Sequence, residues 1–138
     1  MAMIAPTNWR APFTVASGDG GSATSYVYVS GDLTSTLAGL SRLGDATWIK
    51  ALLIANASSG GSGTRTIDVT LQSSTDGTNW DDVFSFTQLT HTGGQERKDA
   101  NRLSSTPGKL GIVYRFKFVA AAATGTTTWT GTVGLLTE

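Results

Sequence analysis

The chain has 138 residues, which is enough for one domain with a buried core. Lysine plus arginine and aspartate plus glutamate number 10 each, so the net charge is zero, and only 14% of the residues are charged. A neutral surface has no basic stripe to attract phosphate groups, which argues against nucleic-acid binding. With no cysteine and one histidine, we expect neither a disulfide nor a zinc site.

No segment predicts export or membrane insertion. The start, MAMIAPTNWRAPF, lacks the charged region and continuous apolar core of a signal peptide. The longest apolar stretch, WIKALLIANA, is too short to span a bilayer and contains Lys50. We therefore expect a soluble chain of cytoplasmic synthesis, with no membrane partner.

Residues 1–16 predict an extended N-terminal arm that precedes the main domain. The segment has two prolines, which favour extended conformations in the residues before them, and it has no periodicity. Trp9 and Phe13 would be apolar anchors on a neighbouring subunit, with Arg10 between them. The alternatives are a frayed terminus and a first strand of the same domain.

Residues 17–138 predict an antiparallel β-sandwich that is jelly-roll-like. The abundance of threonine favours strands, and glycine-rich turns separate the apolar or alternating segments. Residues 32–46 have leucines at helical spacing, but their glycine, serine and threonine content favours a loop with one helical turn. The absence of a confident helix elsewhere indicates an all-β domain. The predicted strands are 25–30, 47–58, 64–74, 80–89, 109–122 and 129–136.

The segment 71–83, LQSSTDGTNWDDV, is the clearest turn. Its Asp-Gly pair places glycine where a hairpin needs a positive φ. On the returning strand, Trp80, Phe84 and Phe86 are predicted to share the inner face, so Trp80 would fill part of the core. Asp76 and its neighbours offer oxygen atoms to calcium, but their spacing does not match a calcium-binding loop.

Residues 91–108 predict a long polar connection that holds most of the clustered charge. A solvated loop whose ion pairs contribute little explains these charges. The functional hypothesis is a contact loop at a subunit interface, where charges fix the register. Together with the arm, it gives these candidate partner-binding residues: Trp9, Arg10, Phe13, His91, Glu96, Arg97, Lys98 and Arg102.

No motif predicts catalysis or a cofactor. His91 is the one histidine, and no local motif supports a Ser-His-Asp arrangement around it. The glycine-rich stretches lack the strand and helix context of a phosphate-binding loop. We expect a non-enzymatic protein.

The hairpin IDVTLQSSTDGTNWDDV resembles those of two kinds of β-sandwich, through its alternation and the pattern Q-x-S-x-DG-x-x-W. One kind is the discoidin-like, galactose-binding-like jelly rolls. The other is the small virion proteins of tailed bacteriophages, including capsid decoration (cement) proteins. The short chain without cysteine or signal peptide, its low charge and its arm-like start favour the phage proteins. The matching positions Ser74, Asp76, Gly77 and Trp80 look structural.

The resemblance to decoration proteins implies a location on the capsid surface of a virion. It implies a homo-oligomer, with a trimer favoured, that binds the major capsid protein and reinforces the junctions between its subunits. Two alternatives stay open. One is a carbohydrate-binding sandwich on a tail or host surface, and the other is a different virion component such as a tail or head-tail protein.

Overall fold

The structure, a computed structural model, describes residues 7–29, 48–74, 77–101 and 113–137. Within these ranges the regular elements are all strands, and no helix is long and apolar enough to cross a membrane. The strands are β1 (Thr7–Ala16), β2 (Ser22–Tyr28), β3 (Trp48–Ala55), β4 (Ser62–Ser74), β5 (Asp81–Ser85), β6 (Leu89–Thr90), β7 (Gly94–Asn101), β8 (Val113–Thr124) and β9 (Thr128–Thr137). The predicted loop at 32–46 lies outside the described residues.

The strands form two antiparallel sheets. Sheet 1 has the order β1-β9-β3-β7, and sheet 2 has the order β2-β8-β4-β5 with the short β6 also paired to β4. Apart from β6, the pairing is nested: β1 pairs with β9, β2 with β8, β3 with β7, and β4 with β5. Nested pairing divided between two sheets is the strand arrangement of a double-sheet jelly roll. The predicted jelly-roll-like β-sandwich is confirmed.

The core lies between the sheets because alternate side chains of each long strand point inward. The alternation predicted for residues 64–74 and 129–136 is confirmed in β4 and β9, and that predicted for 109–122 is confirmed in β8 from residue 114 on. Residues 109–112 lie outside the described residues. The largest fully buried side chains are Trp129, Tyr114, Phe116, Phe118, Ile49, Leu53, Ile67, Leu71, Leu135, Val69 and Val133. Both sheets therefore contribute to one continuous apolar layer.

Residues 7–16 correct the prediction of a free arm. They form β1, an edge strand of sheet 1 that pairs with β9 along its whole length. Pro12 is compatible with this position because the outer side of an edge strand needs no backbone donor. Phe13 and Val15 are buried. This part of the chain is therefore a strand of the same domain, the alternative given above, while residues 1–6 lie outside the described residues.

Residues 94–101 correct the prediction of a long polar loop. They form β7, which pairs with β3 from Gly94 to Asn101 and is the other edge of sheet 1. Charged side chains are typical of edge strands, since they oppose pairing with a further chain. The polar sequence QERKDAN is therefore the sequence of an edge strand.

A β-bulge places Trp80 on the outer face of sheet 2. The register of β4 with β5 shifts between Leu71 and Gln72, which leaves Val83 as an extra residue. One inserted residue reverses the faces on its two sides. Phe84 therefore packs against the core, whereas Trp80 is only half-buried and lies outside it. The prediction that Trp80 fills the core is wrong for this reason.

The ring of Phe13 covers a glycine of the neighbouring strand. A methyl group at Gly131 would overlap the carbonyl oxygen of Ile54 and lie 2.7 Å from the Phe13 ring. Because the backbone of β3 would have to move, we expect Gly131→Ala to lower the free energy of unfolding by about 1–3 kcal/mol. Urea denaturation measures the change. Gly21→Ala is the control, since a methyl group there meets nothing within 4 Å; equal effects of the two changes would contradict the close approach at Gly131.

Candidate functional site

A row of four residues crosses the outer face of sheet 1. The register places Arg10 of β1 opposite Gly134 of β9, Gly134 opposite Leu52 of β3, and Leu52 opposite Arg97 of β7. The residues on either side of Gly134 and Leu52 are buried in the core, so the four residues of this row face outward. Three strand spacings place the Cα atoms of the two arginines about 14 Å apart.

The row lies in a surface depression of about 450 Å³. Gly134 has no side chain to fill the depression. A Cβ there would lie 3.3 Å from Cγ of Arg10 and 3.7 Å from Cβ of Leu52. The half-buried Leu52 and Leu136 make the floor apolar. We call this site the cationic depression, and its lining residues are Arg10, Lys50, Ala51, Leu52, Arg97, Lys98, Asp99, Gly134, Leu135 and Leu136.

The charge of this lining differs from that of the whole chain. Three of the charged side chains on its outward face are basic and Asp99 is acidic, so their formal charge is +2 on a chain whose net charge is zero; Lys98 is not counted, because its ammonium group bonds to Ser85 on the inner side of β7. Arg10, Lys50 and Arg97 are exposed. Guanidinium groups bind carboxylates through paired hydrogen bonds, so the arrangement is suited to acidic groups.

Two of the predicted contact residues, Arg10 and Arg97, therefore lie in the same row, at its two ends. Lys98 also lines the depression, but its ammonium group donates to the carbonyl oxygen of Ser85 at 2.7 Å. The carboxylate of Glu96 accepts the backbone N–H of Thr87 at 3.1 and 3.2 Å. Glu96 and Lys98 thus hold the edge of β7 against the segment that starts at the end of β5.

The other predicted contact residues lie elsewhere. Trp9 stacks on Phe116 with ring centroids 6.1 Å apart, and Phe13 packs against Phe118 at 4.8 Å. Both rings are on the inner side of β1, so neither faces outward in this fold. His91 is exposed in the turn before β7 and does not line the depression. Arg102 lies outside the described residues.

Sequence reasoning missed Lys50, Leu52, Gly134 and Leu136 as members of the site. Lys50 and Leu52 gave a signal, since they belong to a segment that is apolar on both faces yet contains one lysine. Gly134 gave none, because its role depends on the strands that lie on either side of it.

The described part of the chain contains no group of three or more histidine, cysteine, aspartate or glutamate residues placed to hold a metal ion. Asp76, the residue considered for calcium, lies outside that part.

No protein-family model matches the chain, and no curated protein matches it at a significant level. Among solved structures, a chain of broad bean stain virus is similar, with a TM-score of 0.47 and 10% identity over 100% of this chain and 90% of that chain. A chain of the cowpea mosaic virus top component, described as naturally occurring empty particles, has a TM-score of 0.44 and 13% identity over 94% of this chain and 83% of that chain. A chain of desmodium yellow mottle tymovirus has a TM-score of 0.32 and 13% identity, covering 99% and 90%. Because these TM-scores are below 0.5, the fold assignment rests on the strand order of the chain itself.

Proposed function

We propose that this chain is a non-enzymatic structural protein of a virion. The observation that carries the proposal is the nested strand order, since the double-sheet jelly roll is a fold of viral capsid domains and also of lectins and cupins. The low charge supports it, because a surface with few charges is poorly protected against association and suits a protein surrounded by neighbours.

Within that class, we propose a decoration protein of a tailed bacteriophage that binds the capsid surface. It would be a homo-oligomer, with a trimer favoured, and would contact the major capsid protein at the junctions between its subunits. The resemblance of the 67–83 hairpin to decoration proteins supports this. The cationic depression supports it further, because arginines at both ends of an apolar floor are complementary to an extended acidic segment of a partner.

A protein of this kind stabilises a shell by mass action. It binds the assembled shell and not the dispersed subunits, so its binding free energy adds to that of the assembly. At a free concentration 100 times its Kd, the gain is about 2.7 kcal/mol for each site.

The virion location is tested with particles from cells that carry this gene. The particles are purified on a density gradient. Mass spectrometry is expected to find the chain in the particle band, in a fixed ratio to the major capsid protein. Particles made without the gene are expected to form and to disassemble at a lower temperature. If the chain stays with the free proteins at the top of the gradient, the proposal fails.

The contact face is tested by adding purified variants to particles made without the gene. We expect the double change Arg10→Gln with Arg97→Gln to weaken binding by roughly tenfold or more, which corresponds to about 1.4 kcal/mol or more. The matched control is Thr14→Glu with Gln95→Glu, which also lowers the net charge by two on the same face of the same two strands. Equal losses would indicate an effect of net charge alone. Full binding by the arginine variant would exclude the depression as the contact face.

A further inference from the structure

A second row crosses the outer face of sheet 2. The register places Tyr28 of β2 opposite Arg115 of β8, Arg115 opposite Gln72 of β4, and Gln72 opposite Asp82 of β5. Hydrogen bonds join all four side chains. Arg115 donates through Nη1 to the Tyr28 hydroxyl at 3.3 Å and through Nε to Oε1 of Gln72 at 2.7 Å, and Nε2 of Gln72 donates to Oδ1 of Asp82 at 2.7 Å.

Three aromatic rings surround the guanidinium group in this row. Its central carbon lies 4.0 Å from the ring centroid of Tyr26, 4.2 Å from that of Trp80 and 5.9 Å from that of Tyr28. Contacts of this kind hold an arginine in one orientation. Tyr26 and Tyr28 are 41% and 53% exposed, and they are the exposed large apolar residues of the described ranges. We call this site the tyrosine–arginine row, and its members are Tyr26, Tyr28, Gln72, Trp80, Asp82 and Arg115.

The guanidinium group has more N–H donors than the hydrogen bonds of this row use. It has five N–H donors, and within the described ranges it uses one on Nε and one on Nη1. Two of the remaining three, on the terminal nitrogens, can pair with the two oxygens of a planar carboxylate. Lys117, opposite Tyr26 in the register, is a second positive charge on the same face.

The groups around Arg115 are suited to bind a sugar ring that carries such a carboxylate. The exposed ring of Tyr28 offers a flat apolar surface to the C–H groups of a pyranose, and a tyrosine is ordered at low entropic cost. Asp82 is exposed and has a second carboxylate oxygen that can accept a hydroxyl hydrogen. Aromatic, cationic and acceptor groups thus lie side by side on one rigid sheet.

We propose that the tyrosine–arginine row binds a carbohydrate that carries a carboxylate, such as a uronic or sialic acid residue. The carboxylate pairs with the free N–H groups of Arg115, the sugar ring lies on Tyr28, and a hydroxyl donates to Asp82. The site itself does not rest on the proposed function. Its orientation does: if sheet 1 faces the shell, sheet 2 faces away from it, toward whatever the particle meets.

The ligand class is tested by calorimetric titration of the full chain with three probes. These are a galacturonic acid oligosaccharide, N-acetylneuraminic acid, and a neutral galactose oligosaccharide of the same length as the first. We expect at least one acidic probe to bind with a Kd in the range of about 0.1–1 mM and the neutral one to bind at least roughly tenfold more weakly. Equal affinity for acidic and neutral probes, or no binding of either acid at about 10 mM, would overturn the proposal.

The site is tested with variants of the full chain and the acidic probe that binds. Arg115→Lys keeps the charge but removes the paired hydrogen bonds, so we expect the affinity to fall roughly tenfold or more. Arg65→Lys is the matched control, since Arg65 is on the same sheet but lies against Gly60 and Gly63. Unchanged affinity of the Arg115 variant would show that the probe binds elsewhere.

A second variant keeps the test decisive if the Arg115 change disturbs folding. Tyr28 is more than half exposed, so Tyr28→Ala is expected to leave the unfolding midpoint nearly unchanged. We expect it to weaken binding of the acidic probe roughly tenfold, and the indole N–H signal of Trp80 is expected to shift on titration of the unsubstituted chain only. Retention of both the affinity and the shift would contradict the site. Particle binding is measured in parallel, so loss of sugar binding and failure of the virion proposal remain distinguishable.

Discussion

Replacing Phe13 with alanine is expected to lower the free energy of unfolding by about 3–5 kcal/mol, which is the usual cost of removing a buried phenylalanine ring. Phe13 is 4% exposed and packs against Phe118 at 4.8 Å, and its ring also covers the surface of Gly131. Removal of the ring therefore leaves a cavity that two sheets border. Urea denaturation followed by tryptophan fluorescence measures the loss.

Thr14→Ala is the control for the Phe13 variant. Thr14 is the next residue of β1 and is exposed, so we expect its change to stay within about 0.5 kcal/mol. The comparison also separates the two descriptions of this segment. If Phe13 belonged to a free arm, its replacement would weaken particle binding and leave the unfolding midpoint unchanged. That outcome would contradict the assignment of β1 as a strand of the sandwich that contributes to the core.

Replacing Trp129 with alanine is expected to cost a similar amount, about 3–5 kcal/mol. Trp129 is fully buried at the inner face of β9, and its indole N–H donates to the carbonyl oxygen of Thr90 at 3.3 Å. The variant loses the packing of the largest side chain in the core and leaves that carbonyl without this donor. Circular dichroism during thermal unfolding and urea denaturation both measure the effect.

Trp80→Ala is the matched comparison, because it removes the same type of side chain from the outer face of sheet 2 and not from the core. Trp80 lies against Arg115 and Tyr28 outside the core, where a cation–π contact contributes about 0.5–1 kcal/mol. We therefore expect a loss of about 1 kcal/mol, well below that of Trp129→Ala. Equal losses for the two tryptophans would place Trp80 in the core and contradict the bulge at Val83.

The contrast between the two tryptophans shows which parts of the fold can be predicted from the sequence. Alternation is local, so the inner faces of β4, β8 and β9 could be predicted from neighbouring residues alone. A bulge has no such signature, and one extra residue at Val83 was enough to reverse the face of Trp80. The prediction failed at that one position although the strand itself was identified.

Edge strands were the second source of error. β7 reads GQERKDAN and lacks the apolar alternation that predicts a strand. β1 does alternate, with Trp9, Phe13 and Val15 on the inner face, but the prolines of residues 1–16 indicated an extended arm. The features that hid them are those that protect an edge, namely proline and charge. The sequence composition of an edge strand is therefore close to that of an arm or a loop.

The candidate site depends on register between strands that are distant in sequence. Arg10 and Arg97 were both predicted as contact residues, but their meeting across Gly134 and Leu52 follows only from the order β1-β9-β3-β7. No local pattern encodes that order. Individual residues of the depression could be proposed from the sequence, and their arrangement could not.

The position of β9 between β1 and β3 has a consequence for how the chain folds. Trp9 and Leu135 are paired although they are 126 positions apart, so β1 has no partner in its sheet until the last strand is available. Folds dominated by such distant pairings fold slowly, typically in milliseconds to seconds. During synthesis, sheet 1 stays incomplete until residues 128–137 have left the ribosome. That interval is when unpaired strands of neighbouring nascent chains can associate, so yield in overexpression is expected to depend on the rate of this last step.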